Sequence, residues 1–407
     1  GKRSNHRSRA NRALALVLFI ATALAVGGPS VPLLAAEPST QFLDALRVAG
    51  YHDEALLYLD KMTTSPLATG DFKQGVLYQR GLTLIASSRR STDTNERTRL
   101  LESAEKSLLE FIENHSTHNL LTEAQIQLGN VLVDKADQQM AMARRANSDT
   151  LVQAARKSFQ EAHTYFVDIR EKLNVKLERV NKVQFDPSQR EQKEARDRLR
   201  EDYLQSLVYV ASVLEAAAEA EPADSPERKK LLEDAAAEFG TIYETYRRRT
   251  IGLYSRLYQG RCLQKLGQEL DALSLYTDLF DQPDSDPVFR DVKLQAMELA
   301  MRIWLDEKHK KYAEAVNRSS TWLDSAERDE LDTQRGCSIR LSAARANKMY
   351  ADYLDEKQVG NTQSGQLRSN ARAIALALTK IRNPYQQEAR AILAELRGEA
   401  GAPVEEI

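Results

Sequence analysis

Glycine and proline are scarce in this chain, at 17 and 11 of 407 residues. Sheets and α/β connections consume turn residues, so the scarcity argues against all-β and α/β architectures and for long helices. Cysteine is scarcer still. Cys262 and Cys337 are the only two and lie too far apart in sequence for a CxxC metal or redox motif. Two readings of them stay open, a single disulfide in an exported protein or two small side chains in helix packing. An excess of one charge is also missing. Lys and Arg number 57 against 59 Asp and Glu, a net charge of −2, so no surplus of basic residues marks a nucleic-acid partner.

What is present favours a folded helical protein. Apolar residues make up 42% and charged residues 29%, enough apolar content to build a core. Ala, Leu, Glu, Arg, Lys and Gln, the strong helix formers, dominate. The length exceeds one ordinary core and fits either two or three globular domains or one elongated repeat array.

The first residues read as an address. Lys2, Arg3, Arg7, Arg9 and Arg12 form a basic cluster, and an uncharged run over 13–36 follows. Its apolar core, 13–26, is shorter than the about 20 residues of a membrane span. Gly27, Gly28, Pro29 and Pro32 then interrupt any helix, and Ala35 and Ala36 close the run with small side chains. Residues 1–36 are therefore expected to be a secretory signal peptide, with an uncleaved N-terminal membrane anchor as the alternative. Both place the body outside the cytoplasm, in the periplasm or cell envelope. No second apolar run of membrane length follows Ala36.

Helical periodicity recurs along the body, as over 124–133 and 257–266. A small residue followed four positions later by a larger one repeats at Ala55/Leu59, Ala104/Leu108, Ala155/Phe159, Ala235/Phe239 and Ala272/Tyr276. Ala315/Ser319 and Ala373/Ala377 continue the series with small second members. A second set of small residues stands at Gly81, Gly129, Ala211, Gly260, Ala300 and Ala343. Each follows its preceding alanine at a nearly constant separation, except Ala155 to Ala211. In that exception, Pro187 breaks the helix and the charged stretch 189–202 reads as a solvated helix extension. Within the hairpins the spacing varies. Several carry about a dozen residues more than Gly260 to Ala272, close to three helical turns, which lengthens either the helices or the loop.

The unit Gly260, Leu263, Gly267, Ala272, Tyr276 and Pro283 resembles the tetratricopeptide repeat (TPR), a hairpin of two antiparallel helices. The segments at Leu128-Gly129 and 50–62 are similar to its first-helix and second-helix signatures. The resemblance implies an all-α fold, with six or seven hairpins over 37–397 stacked as a right-handed superhelix (an α-solenoid) and a flexible tail over 398–407.

By the same resemblance, the concave groove of such an array is lined by first helices and holds a peptide or a partner's helix. Asn130, Ser212, Arg261 and Met301 would face it, with Asp134, Lys265 and Trp304 one turn further on. Asn130 would bond peptide backbone, Arg261 and Lys265 an acidic group, and Trp304 either anchors a partner or fills the core.

Catalytic and metal signatures are not found. His115 and His118, three apart, have a metal-ligand spacing, but the segment around them reads as a solvated link between hairpins. Gly360 and Gly365 have P-loop spacing, yet Gln366 and Leu367 stand where a phosphate-binding Lys and Ser/Thr belong. No G-x-S-x-G or H-E-x-x-H occurs. The expectation is an exported, non-catalytic scaffold or adaptor for protein or peptide partners. It needs no cofactor, metal or nucleic acid, and it touches membrane only through an uncleaved N-terminal segment. Two alternatives are kept: an exported all-helical polysaccharide-active enzyme, and the multimerisation region of a longer envelope protein.

Overall fold

The computed structural model describes residues 39–182, 190–282, 287–359 and 361–399. The expected signal segment 1–36, the break at Pro187, the closing Pro283 and the tail beyond residue 399 lie outside them. Every regular element among the described residues is helical, as the composition predicts.

The chain divides into two compact units between Arg228 and Lys229. The first holds α1 (Ser39–Ala49), α2 (His52–Thr64), α3 (Gly70–Gln74), α4 (Val76–Arg90), α5 (Thr94–Asn114), α6 (Leu121–Ala146), α7 (Asp149–Asn181) and α8 (Arg190–Ala217). The helix α9 (Pro226–Tyr246) begins at the boundary. The second unit continues with α10 (Thr250–Lys265), α11 (Glu269–Phe280), α12 (Pro287–Trp304), α13 (Tyr312–Ser325), α14 (Arg328–Leu331), α15 (Gln334–Glu356), α16 (Asn361–Thr379) and α17 (Gln386–Glu399). Since α17 reaches Glu399, residues 398 and 399, expected in a tail, are helical.

Local chemistry sets the helix ends. The Asp93 carboxylate accepts from the backbone N–H groups of Asn95 (2.8 Å) and Glu96 (2.9 Å), capping α5. Thr333 does the same for α15 through the N–H of Gly336. Gly267 ends the α10 segment at φ +76°, a left-handed turn that lets Gln268 N–H reach back to Leu263 O. Between α6 and α7 only Asn147 and Ser148 remain, with Asn147 left-handed at φ 48°. The extra residues of that hairpin therefore lie in its helices, of 26 and 33 residues, against 16 and 12 for α10 and α11.

Within each unit, helices pack on their neighbours in sequence, and first helices also touch first helices: α4 with α6 and α6 with α8 in one unit, α10 with α12 and α12 with α15 in the other. The small residues read from the sequence sit at these crossings. Ala55, Ala104, Ala155, Ala235, Ala272 and Ala315 are fully buried, as are Ala211, Ala300 and Ala343. A Cβ placed at Gly81 would stand 2.8 Å from Leu108, and one at Gly260 would stand 2.5 Å from Tyr276, the large residues expected in those hairpins. At Gly129 the neighbour is Phe166, at 2.4 Å, and the expected Phe159 packs instead with Ala136, Met140 and Ala155. The longer α6–α7 hairpin has room for two core layers, and the sequence pattern marks only one of them.

One further expectation is corrected. In α16 the buried alanines are Ala371 and Ala375, whereas Ala373 is exposed. Alanines alternate there, so two helical registers are equally consistent with the spacing. Ser319, the small second member of its pair, is fully buried and turns its hydroxyl back to Ala315 O at 2.6 Å. Cys262 and Cys337 are both free and buried, which decides for the packing reading.

Candidate binding site

The residues proposed for the groove divide by burial. Met301 is fully buried and Trp304 is 2% exposed, its indole tilted against Phe280 with ring centroids 6.1 Å apart. Both are corrected to core residues of α12, on the face its neighbouring helices cover. Ser212 is half-buried on α8, and Lys265 is exposed at the last turn of α10. One turn before it, the guanidinium of Arg261 lies 4.4 Å over the ring of Tyr258. Asn130 and Asp134 are on α6 and are buried, with Asp134 only 2% exposed.

The link at His115 and His118 is exposed at Ser116, Thr117 and Asn119, as expected, but His118 turns inward. The His118 side chain is 5% exposed and packs edge-on against Phe111, while its Nδ1 accepts from Leu120 N–H at 3.1 Å. Among the described residues no group of three or more His, Cys, Asp or Glu side chains is placed to hold a metal.

In the first unit, Asn130 and Asp134 belong to a polar seam along α6, between α4 and α8. Residues 130, 134 and 138 fall four apart and so share one helix face. Gln138 is satisfied, donating through Nε2 to Thr94 O (2.8 Å) and Thr98 Oγ1 (2.6 Å) on α5. The other two are not. Asp134 faces Arg89 of α4 at 3.6 Å, an ion pair too long for a hydrogen bond, and its Oδ2 has no hydrogen-bond partner. Asn130 Nδ2 has no well-formed hydrogen bond, though its side chain interacts with the Tyr209 phenol. Its amide lies by the Tyr209 phenol of α8, which accepts from Gln205 Nε2 at 2.8 Å and stacks on Phe166 at 4.9 Å. Glu123 Oε2 on α6, Arg97 Nε on α5 and Arg196 Nε on α8 are further buried atoms without hydrogen-bond partners on these and adjoining helices. Each such atom costs about 1–3 kcal/mol of desolvation, so their gathering on α6 and the helices beside it is a departure that packing alone does not reward.

Burial also drives the titration of the seam. Burial first, and then the neighbouring Asp134, raise Asp137 from 3.8 to about 7. Burial and Glu123 raise Asp202 of α8 to about 6. Asp134 and Glu123 are raised by burial, with Arg89 opposing the shift at the first and Arg198 at the second. A carboxyl whose folded pKa lies above its unfolded value binds its proton more tightly when folded, so stability falls as pH rises between the two values. Asp137 accordingly costs stability above about pH 7 and nothing below about pH 4. Asp137→Asn is expected to raise the melting temperature by roughly 2–8 °C at alkaline pH and leave it unchanged at about pH 4. Thermal melts at both pH values check this; an equal gain at both would show that charge burial is not the cause.

The second unit carries a comparable seam on α12, where the carboxylates are met although the buried Arg335 Nε has no hydrogen-bond partner. Asp291 accepts from Tyr254 Oη (2.8 Å) on α10 and Gln295 Nε2 (2.7 Å), and pairs with Arg335 of α15. Glu298 accepts from Ser338 Oγ at 3.1 Å and lies 3.6 Å from Arg302. Donors on three helices cover both carboxylates.

The polar seams were only partly legible in the sequence. Asn130 and Asp134 follow from the repeat spacing, but Arg89, Asp137, Tyr209 and Asp202 join them only because α4, α6 and α8 lie side by side. No family model matches the chain, and no curated protein matches it.

Proposed function

We propose that this chain is an exported, non-catalytic adaptor whose hairpins stack as a TPR-like superhelix and whose row of first helices takes protein partners. The observation that carries this reading is the open seam on α6. Buried polar groups without partners are costly in a structural core and suit a surface completed by a second molecule. The contacts of α4 with α6 and of α6 with α8 support the stacking, because a row of first helices is what stacked hairpins produce. The basic cluster and apolar run of residues 2–26 support export, with membrane contact confined to that segment.

A photocrosslinking residue placed at half-buried Ser212 or exposed Lys265 tests the reading in cells. A small set of discrete protein adducts from the envelope is expected at one or both positions. Arg261→Glu together with Lys265→Glu is expected to lower adduct yield at position 212 less than recovery of any partner held by the α10 surface. Recovery of the chain from the cytoplasm, or the absence of any discrete adduct, would overturn the proposal.

A further inference from the structure

We infer that the α1–α2 hairpin is an acid-released latch: protonation of His52, buried beside Arg47 of α1 and Arg90 of α4, lifts the hairpin off α4 and bares the apolar residues beneath it. The inference does not depend on the adaptor reading.

His52 opens α2 and is 7% exposed, and neither of its ring nitrogens has a hydrogen-bond partner. A neutral imidazole is tolerated in such a place. An imidazolium there has two N–H donors and a full charge to satisfy, and nothing buried accepts from it. The surrounding cations sharpen the conflict. The Arg90 guanidinium sits against the bare Cα of Gly50, at φ +88°, where a Cβ would collide with it. From there it donates to Val48 O at 3.2 Å. Arg47 reaches the other way and donates to Gln79 O at 3.3 Å and Gln79 Oε1 at 2.9 Å on α4. It also pairs with Asp44 of its own helix. These two arginines fasten the hairpin to α4, with Arg80 of α4 and Asp60 of α2 paired further along. Both fastenings are therefore positive charges set near the imidazole. The carboxylates that act on it, Asp53 and Glu54, are exposed residues of α2 itself and travel with the hairpin. Burial first, and then Arg90, hold the His52 pKa below the usual 6.5; Arg47 adds to this, while Asp53 and Glu54 oppose it.

The apolar grip under the hairpin is small. It consists of Leu43 of α1, Ala55 and Leu59 of α2 and Val76 of α4. The cluster that joins α4, α5 and α6 is larger and includes the aromatics Tyr78 and Phe111. A hairpin held this lightly opens locally while the rest of the unit stays folded. Its folded-state pKa lies below the unfolded one, so the closed form binds the proton less well. Closure is fully favoured above about pH 6.5 and weakens as pH falls, its opening equilibrium rising by up to about tenfold per pH unit until the folded pKa is passed. Opening uncovers Val76 and frees Gln79 from Arg47.

The test is hydrogen–deuterium exchange of the full chain between about pH 5 and about pH 8, expressed as protection factors so that the intrinsic pH dependence of exchange cancels. Protection over 39–64 is expected to fall by up to about tenfold per pH unit below about pH 6.5, while α15 keeps its protection. His52→Gln and His52→Leu, both neutral throughout, are each expected to hold the protection of 39–64 constant across the range. Should either variant loosen the hairpin at every pH, the imidazole itself decides. In histidine-labelled wild-type protein its resonance, assigned by its loss in the variants, is expected to titrate below about pH 6.5 in step with the loss of protection. Constant protection of 39–64 in the wild type overturns the latch. So does a pH dependence retained in both variants, or a His52 resonance that titrates while the hairpin stays closed.

Discussion

Gly129→Val is expected to destabilise the first unit by about 3 kcal/mol or more. A Cβ at that position would lie 2.4 Å from the Phe166 ring, and valine adds two methyls to it. The ring cannot retreat. Phe166 is fully buried, and Tyr209 is stacked behind it at 4.9 Å with the planes 18° apart. Phe166→Ala alone removes a buried aromatic and is expected to cost about 3–5 kcal/mol. The two changes share one site, so their combination should cost well below the sum of the single effects, because the cavity left by one receives the bulk of the other. Chemical denaturation of the two single variants and the double variant completes the cycle. Strict additivity would mean that Gly129 is not small on account of Phe166.

Trp304→Ala is expected to destabilise the second unit by about 3–5 kcal/mol, with partner binding by the remaining folded protein unchanged. The indole is 2% exposed and packs against Phe280, so it supports α12 from within. The measurement is direct because the chain has two tryptophans. With Trp304 gone, Trp322, whose Nε1 donates to Glu330 at 2.5 Å, remains as the single fluorescent reporter of unfolding. A variant with wild-type stability and weakened binding would restore Trp304 as a surface anchor.

These two positions also mark how far the sequence could be read. The small residue at 129 announces a close helix approach, and helical periodicity places it on a buried face. Which aromatic fills the space opposite depends on how far α6 and α7 extend past one another, a property of hairpin length that spacing in one segment does not encode. Trp304 failed as a groove residue for a related reason. Counting one turn beyond a small residue assumes that every first helix exposes the same arc, and α12 is covered on the arc that holds Met301 and Trp304. The alternating alanines of α16 carry too little size contrast to set a register at all. The open seam was the least legible feature. Among 59 acidic residues, a pair such as Asp134 and Asp137 looks like solvated helix surface until three separate helices close around it.

The two-residue link at Asn147 and Ser148, and the habit of each helix of resting on those nearest it in sequence, bear on how the chain acquires its structure. Partners in contact are mostly drawn from adjoining segments, so little loop-closure entropy has to be spent before a contact forms, and rates should approach those of small helical bundles. A polypeptide emerging from its N-terminal side can settle α4 on α5 while later hairpins are still being delivered, each finished pair offering a template to the next. Assembly that proceeds in this order leaves no early segment waiting for a distant one to arrive.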